Sequence, residues 1–295
     1  MLDAAQAVLF GRFLQRMDSL ALGFFVFGLS AAFCLALTAL RAPSEFRAAW
    51  TAPGELLALN VSSAAGWLAY LGAIQLIEPA VAFTIFSGVI PLTIVATRQS
   101  LSIDSGALHG CERIGLAVLA IGLVALCAST MAGYSGFVRG GVGVAALGLA
   151  LAAFAGLAMA GMVLASYRLS ARGVGPAAVF GLRFPLYLVL AGAGFLLGLD
   201  AKGSVAHGEF LIAVVLGLAV LAFPIYAVQK AVALTPASTL GAATALIPVA
   251  VLAFQLFDPR VSYSNATAAG LAIYTLGALL AAAGRARAEF RSPAA

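Results

Sequence analysis

Two cationic side chains, Arg183 and Lys230, lie well inside apolar runs that otherwise carry charge only near their ends. A charge within such a run is costly in hydrocarbon and marks a functional position by default. The planar fork of Arg183 suits a carboxylate or a phosphate if it reaches an interior cavity. Both residues also fall within about two turns of one end of their runs, which favours snorkelling to that interface.

Polar and aromatic residues recur near these charges. Asn60, Ser63, Trp67 and Tyr70 occupy about 80° of arc when their segment is wound at ~100° per residue. Phe180, Arg183, Phe184 and Tyr187 share a face of a second segment, and Phe223, Tyr226 and Lys230 share a face of a third. Such stripes in membrane helices turn toward the protein interior. They serve there as interhelical glue, or as walls of a cavity offering π-faces, hydroxyls and a few cations.

Two proline-bearing stretches repeat one pattern: "IEPAVAFTIFSGVIPLTIVA" at 77–96 and "LTPASTLGAATALIPVAVLA" at 234–253. Pro79 and Pro236 suit a first helical position, where the missing N–H has no partner to lose, and Thr235 can cap the second. Pro91 and Pro248 instead lie inside their spans and free the carbonyls of Ser87 and Thr244, four residues earlier. Either each hydroxyl satisfies its local backbone at a packing kink, or the two kinks bring paired polar features to a central site.

Other chemistry finds little support. The 11 Asp and Glu residues, Asp18, Glu78, Asp200 and Glu209 among them, fall in loops or at helix ends. Coupling through a mid-membrane carboxylate is therefore disfavoured unless Glu78 dips inward. His109 and His207 lie in loops too. No metal-ligand cluster and no nucleophile–base pair is visible, so no catalytic residue, metal or cofactor is expected and the chain does not read as an enzyme. Cys34, Cys111 and Cys127 do not form a disulfide framework; the two inside apolar helices read as small core residues.

These residues must be positioned by membrane helices. The chain is 295 residues long, 63% hydrophobic and 9% charged, with mean hydropathy +1.08. So few charges cannot cover a soluble domain of this size. Apolar runs long enough to cross about 30 Å of hydrocarbon recur end to end. The pattern predicts helices over 19–40, 56–77, 79–97, 114–131, 141–165, 176–198, 210–233, 236–257 and 266–284. On alternating sides, Arg41, Arg47, Arg98, Arg113, Arg168, Arg172, Arg285, Arg287 and Arg291 face Arg12, Arg16, Arg139, Lys202 and Arg260. That imbalance puts the C-terminus in the cytoplasm, and it accounts for the net charge of +5 without invoking nucleic acid.

Pro79 and Pro91 superpose on Pro236 and Pro248 at an offset of 157, and "GLAVLAIG" at 115–122 echoes "GLAIYTLG" at 270–277. The chain therefore reads as two copies of one unit, 1–135 and 136–295. Five crossings per copy would invert the second in the membrane, an arrangement recurrent in secondary transporters. The counterpart of the helix near Gly141 falls before Met1, so the first helix is expected to be missing or reduced to the fragment "AAQAVLFGRFL". Gly115, Gly122, Gly270 and Gly277 lie seven apart and mark close contact between the last helices of the two copies.

"YLGAIQLIEPAVAFTIFSGVIPLTIVA", "YAVQKAVALTPASTLGAATALIPVAVLA", "GPAAVFGLRFPLYLVL" and the Gly-Leu-Ala repeats, in this order, resemble the drug/metabolite transporter superfamily in its two-repeat EamA-type branch. The resemblance covers nearly the whole chain. It implies ten helices in two inverted five-helix repeats, cytoplasmic termini and a central cavity, in proteins that move amino acids, metabolites, nucleotide sugars or drugs, often outward. Two departures stand out: the shortened first helix, and the lack of the glutamate that often follows the kinked helix, where Phe257-Asp258-Pro259 and Arg98-Gln99 stand instead.

The expectation is an all-α polytopic membrane protein with about nine full helices. It exports or exchanges a small metabolite, an amino acid or similar amphipathic solute, by alternating access across the bacterial cytoplasmic (inner) membrane. The expected substrate-binding set is Asn60, Ser63, Trp67, Tyr70, Ser87, Arg183, Phe184, Tyr187, Tyr226, Lys230 and Thr244, with helix kinks at Pro91 and Pro248. Its partners are the solute and the lipid bilayer, as a monomer or weak homodimer. The alternatives are an anion carrier for phosphorylated sugars or nucleotides, which needs Arg183 and Lys230 in the cavity, and a non-transporting membrane assembly subunit.

Overall fold

A computed structural model of the chain describes residues 2–97, 110–203, 205–234 and 243–291. In hydrocarbon a chain must satisfy its own backbone polar groups, and the apolar runs do so as helices. The order is α1 (Leu2–Leu14), α2 (Ser19–Arg41), a short α3 (Ser44–Trp50), α4 (Pro53–Leu76), α5 (Pro79–Thr97), α6 (Gly110–Met131) and α7 (Val142–Ala171). There follow α8 (Pro176–Leu182), α9 (Pro185–Leu196), α10 (His207–Gly217), a π-helical turn (Leu218–Ala222), α11 (Phe223–Leu234), α12 (Ile247–Gln255) and α13 (Asn265–Arg291). Among the described residues, eight helical stretches are long and apolar enough to cross a membrane, α8–α9 and α10–α11 each forming one. The protein is an all-α, multi-pass membrane protein.

The local signals act as expected at most starts. Asp18 caps α2, its Oδ1 accepting from the N–H groups of Leu20 and Ala21 at 2.8 and 2.9 Å. Prolines open α4, α5, α8 and α9, where the absent N–H costs nothing.

Three expected spans differ in detail. The run 176–198 is not one helix, since it breaks at Arg183–Phe184 before Pro185. The run 210–233 contains the π turn. In the run 236–257, Thr235, Pro236 and their neighbours lie outside the described residues, and Pro248 sits in the first turn of α12 just after a break at Leu246. Helical residues precede that break, so Pro248 lies inside the apolar helical stretch Ala243–Gln255, two residues past the turn that interrupts it. Pro91 does lie inside α5. The segment expected as a reduced first helix is the 13-residue α1, which spans about 20 Å at ~1.5 Å per residue.

Packing is dominated by antiparallel pairs. Gly66 meets Met159, Gly72 meets Leu151 and Gly148 meets Ile77. Numbers fall on α7 as they rise on α4, so the two run in opposite directions. In α6 and α13 the contacts are Gly115 with Ala281, Gly122 with Tyr274, Leu119 with Gly277 and Leu126 with Gly270. A Cβ on Gly122 would lie 2.6 Å from the Tyr274 backbone nitrogen. The glycines spaced by seven therefore form the closest seam between these helices. A third antiparallel pair joins α2 to α8–α9: Phe24 meets Gly192, Leu35 meets Gly181, and the rings of Phe27 and Phe184 stack with centroids 4.5 Å apart.

Polar ties hold both ends of the bundle. At the end where α4 and α8 begin, Glu45 accepts from the Gly175 N–H at 2.8 Å, and Arg168 pairs with Glu55 at 3.1 Å. At the other end Lys202 bonds Asp200 and the Gln75 Oε1, and Asp200 accepts from the Ser19 N–H at 2.8 Å. Arg260 pairs with Asp258 and donates to the Gly11 carbonyl at 2.7 Å. Glu78 does dip inward and is fully buried at this end. Its carboxylate accepts from the Gly136 N–H at 2.6 Å, from Thr267 Oγ1 at 2.8 Å and from Gln255 Nε2. Burial raises its pKa above the ordinary carboxylate value, against the lowering pull of those three bonds.

Candidate functional site: a buried arginine at a broken helix

The break between α8 and α9 is built by two residues far apart in sequence. Pro185 cannot donate a backbone hydrogen bond. Around it, the bond a continuous helix would make from the Leu186 N–H to the Leu182 carbonyl is opened, and the Asn60 amide is inserted into it. Asn60 Nδ2 donates to the Leu182 carbonyl at 2.8 Å, and Asn60 Oδ1 accepts from the Leu186 N–H at 3.2 Å. A side chain inserted into the helical ladder is a recognised cause of a kink. Asn60 thus comes from the polar stripe of α4 to hold the break open.

Arg183 occupies that break, seven residues beyond Pro176 and so about 10 Å into the span. It does not snorkel; its exposure is 1%. The guanidinium carbon lies 4.8 Å from the Phe180 ring centroid and 4.7 Å from that of Phe184. Among the described residues its polar contact is Nη1 to the Met162 Sδ at 3.7 Å, while Nε and Nη2 bond none of them. Depth along a helix favours snorkelling, but Phe180, Phe184 and Met162 of α7 enclose the guanidinium. A desolvated cation over aromatic faces gains ~2 kcal/mol. Leaving a buried charge without a partner costs more, about 3–5 kcal/mol. The position is therefore expensive for the fold.

Around Arg183 runs a continuous chain of rings. Tyr226 meets Phe180 edge-on at 5.9 Å, Phe180 meets Phe184 at 5.2 Å, and Phe184 stacks on Phe27. Phe27 touches Trp67 at 4.9 Å and Tyr187 at 5.1 Å, and Trp67 touches Tyr70 at 5.8 Å. Tyr187 Oη fills the space that Gly23 leaves, since a Cβ there would lie 2.0 Å away. Gln6 of α1 donates to the Tyr70 hydroxyl at 3.3 Å. Trp67 Nε1, Ser63 Oγ and Tyr187 Oη are buried and, like the Arg183 nitrogens, bond no described residue.

The fold therefore gathers Asn60, Ser63, Trp67, Tyr70, Arg183, Phe184 and Tyr187 in one cluster, with Tyr226 at its edge through Phe180. It does not gather all the expected residues. Ser87 Oγ lies 3.3 Å from the Thr84 carbonyl and 3.3 Å from the Tyr274 hydroxyl, a place on the α13 side. Lys230 is exposed on α11, and Thr244 is half-buried just before the break at Leu246. Phe27, the ring that joins both halves of the cluster, and its neighbour Gly23 carried no sequence signal of their own within the apolar run "LALGFFVFGLS". One signal was available: Phe27 and Phe184 are related by the same offset of 157 as the prolines.

The cluster is closed in this structure. Cavities of about 330 and 300 Å³ lie elsewhere, one beside the Glu55–Arg168 pair and one between α1 and the C-terminal end of α12.

The fold has solved counterparts. One crystal structure matches 97% of this chain and 99% of its own, with a TM-score of 0.63 at 20% sequence identity. At that identity the likeness speaks for the fold alone. No protein-family model and no curated protein sequence matches the chain.

Proposed function

We propose that the protein is an EamA-type secondary transporter of the drug/metabolite transporter superfamily. It exports or exchanges a small amphipathic solute, such as an amino acid, across a bacterial cytoplasmic membrane. The observation that carries this reading is a charge with no ionic partner among the described residues, ringed by aromatic groups and buried between the first and second halves of a membrane protein whose two ends both carry polar ties. A polar site sealed from both sides is what an occluded state of alternating access requires.

The contact pattern supports inverted repeats. Exchanging each residue for its counterpart 155 positions away converts the Gly115–Ala281 contact into Leu126–Gly270, and Gly122–Tyr274 into Leu119–Gly277. The offset of 157 converts Phe24–Gly192 into Leu35–Gly181 and pairs Phe27 with Phe184, its own counterpart. Antiparallel contacts that map onto one another in this way are those of a two-fold axis in the membrane plane. On this reading α1 stands where the C-terminal half of α7 stands in the other copy. The arginine-rich ends, including the C-terminus, face the cytoplasm.

The test is solute uptake by proteoliposomes across amino acids, sugars and phosphate esters, with and without ion gradients. Saturable flux of at least one amphipathic solute above that of empty vesicles is expected. No saturable flux for any member of the panel would reject the reading.

A further inference from the structure

The donors of the closed cluster say what they lack. Arg183 Nε and Nη2 and Trp67 Nε1 can only donate hydrogen bonds, and all three are buried with no partner among the described residues. The hydroxyls of Ser63 and Tyr187, likewise unpartnered, can donate as well. The acceptor against Arg183 is a thioether sulfur, a weak one, and no described Asp or Glu bonds to any of these atoms. An ammonium or amine would meet donors and ring faces. A carboxylate, acceptor-only with about four lone-pair sites, can accept from both free nitrogens of the Arg183 fork.

The repeat supplies an internal control. By the offset of 157, the counterpart of Arg183 is Val26, that of Pro185 is Gly28 and that of Asn60 is Gly217. Val26 is fully buried against Gly217 within the unbroken α2. The same architectural place is thus filled by a valine in one copy, so packing does not demand a cation there. Arginine, the inserted asparagine and the helix break occur together in one copy only. Lys230 is exposed and absent from the cluster, so the site holds one formal positive charge, matched to a monoanion rather than to a phosphate dianion.

We propose that Arg183, through its free Nε and Nη2, recognises the carboxylate of an organic monoanion whose apolar body, aryl or compactly branched, packs among the rings that run from Phe180 and Phe184 through Phe27 to Trp67. Amino acids qualify through their carboxylate end. This names the solute class for the transport reading and rests on it only for the route by which a solute reaches the site.

The sequence holds two tryptophans, and Trp50 is exposed. A Trp50→Phe protein in detergent therefore leaves Trp67 as the only indole and reports binding at this site. Titrated with 3-phenylpropionate and phenylalanine, its fluorescence should change saturably. The matching amides, 3-phenylpropionamide and phenylalaninamide, should bind about tenfold more weakly or worse, and phenyl phosphate should not bind more tightly than the acids. Arg183→Gln should weaken both acids by about a hundredfold, with Arg183→Lys falling between it and the parent. The acid–amide comparison on the parent protein needs no folded variant. Amides binding as well as acids, an unchanged Arg183→Gln, phenyl phosphate binding tightest, or no response to any acid would each overturn the proposal. Acid binding without flux of any solute in vesicles would reject the transport reading and leave the carboxylate site standing. Saturable, Trp67-dependent flux of amides indifferent to Arg183→Gln would do the reverse.

Discussion

The Asn60 amide stands in the backbone hydrogen bond that the Leu186 N–H would otherwise make to Leu182, donating 2.8 Å to one and accepting at 3.2 Å from the other. One side chain of α4 thereby holds open the helix that carries Arg183. Asn60→Ala leaves a carbonyl and an N–H unpaired in an apolar interior, a cost of about 1–3 kcal/mol. We expect a lower melting temperature together with weakened solute binding at the Arg183 cluster. Asn60→Asp keeps the acceptor for Leu186 and loses the donor for Leu182, and should be nearly as damaging. A melting curve and a binding titration on each variant check this. Full solute affinity in Asn60→Ala would mean that the break does not depend on Asn60.

The α6–α13 seam predicts position-specific intolerance. A Cβ at Gly122 would lie 2.6 Å from the Tyr274 nitrogen, and one at Gly277 2.3 Å from the Leu119 nitrogen. Backbone cannot swing aside as a side chain can, so Gly122→Ala and Gly277→Ala should each cost about 1–3 kcal/mol through overpacking. Gly54, with no neighbour for an added Cβ, should accept alanine without loss. Thermal unfolding of the three variants in detergent distinguishes a seam from general glycine flexibility.

Gly23 and Tyr187 predict a rescue. In Gly23→Ala the new methyl collides with the phenol oxygen at 2.0 Å but lies 3.1 Å from the ring carbon that bears it. Gly23→Ala alone should destabilise the protein. Tyr187→Phe, which removes that oxygen, should recover much of the loss, giving a coupling energy of about 1 kcal/mol or more in a double-mutant cycle. Additive effects would mean that the two residues are not in contact.

Glu78 sets a pH dependence whose sign follows from its burial. Desolvation outweighs the bonds from Gln255, Thr267 and Gly136, so its folded pKa stands above 4.5. The folded protein then holds this proton more tightly than the unfolded chain. The associated stability is present below about pH 4.5 and is lost as pH rises through the elevated pKa. The melting temperature of the parent should therefore decline across that window. Glu78→Gln, which cannot ionise, should show a flatter profile with a lower acid-side value, because one of its amide hydrogens faces the Gln255 donor. A parallel decline in both proteins would assign the effect to other groups.

Much of this was legible in the sequence because hydrocarbon leaves few choices. Apolar runs of membrane length had to be helices, and glycines seven apart had to face a close neighbour, as Gly115 and Gly277 do. What escaped depended on contacts between distant segments. Position along the span gives Arg183 a depth, but its direction is set by Phe180, Phe184 and Met162 of α7, which enclose it. Sequence places Glu78 in a turn between Ile77 and Pro79; it is buried because the Gly136 loop and α13 fold over it. Pro248 lies twelve residues past Pro236 just as Pro91 lies past Pro79, yet α5 runs through Pro91 unbroken while the stretch around Pro248 is interrupted at Leu246. Spacing does not distinguish those two environments.

The most direct test of the account is solute counterflow in proteoliposomes with the parent protein, Trp67→Ala and Tyr226→Ala. Trp67 lies in the middle of the ring chain and Tyr226 at its end. The account predicts saturable exchange of an amphipathic solute by the parent and its loss in both variants, each still monodisperse in detergent. Exchange at parental rates in both variants would contradict it.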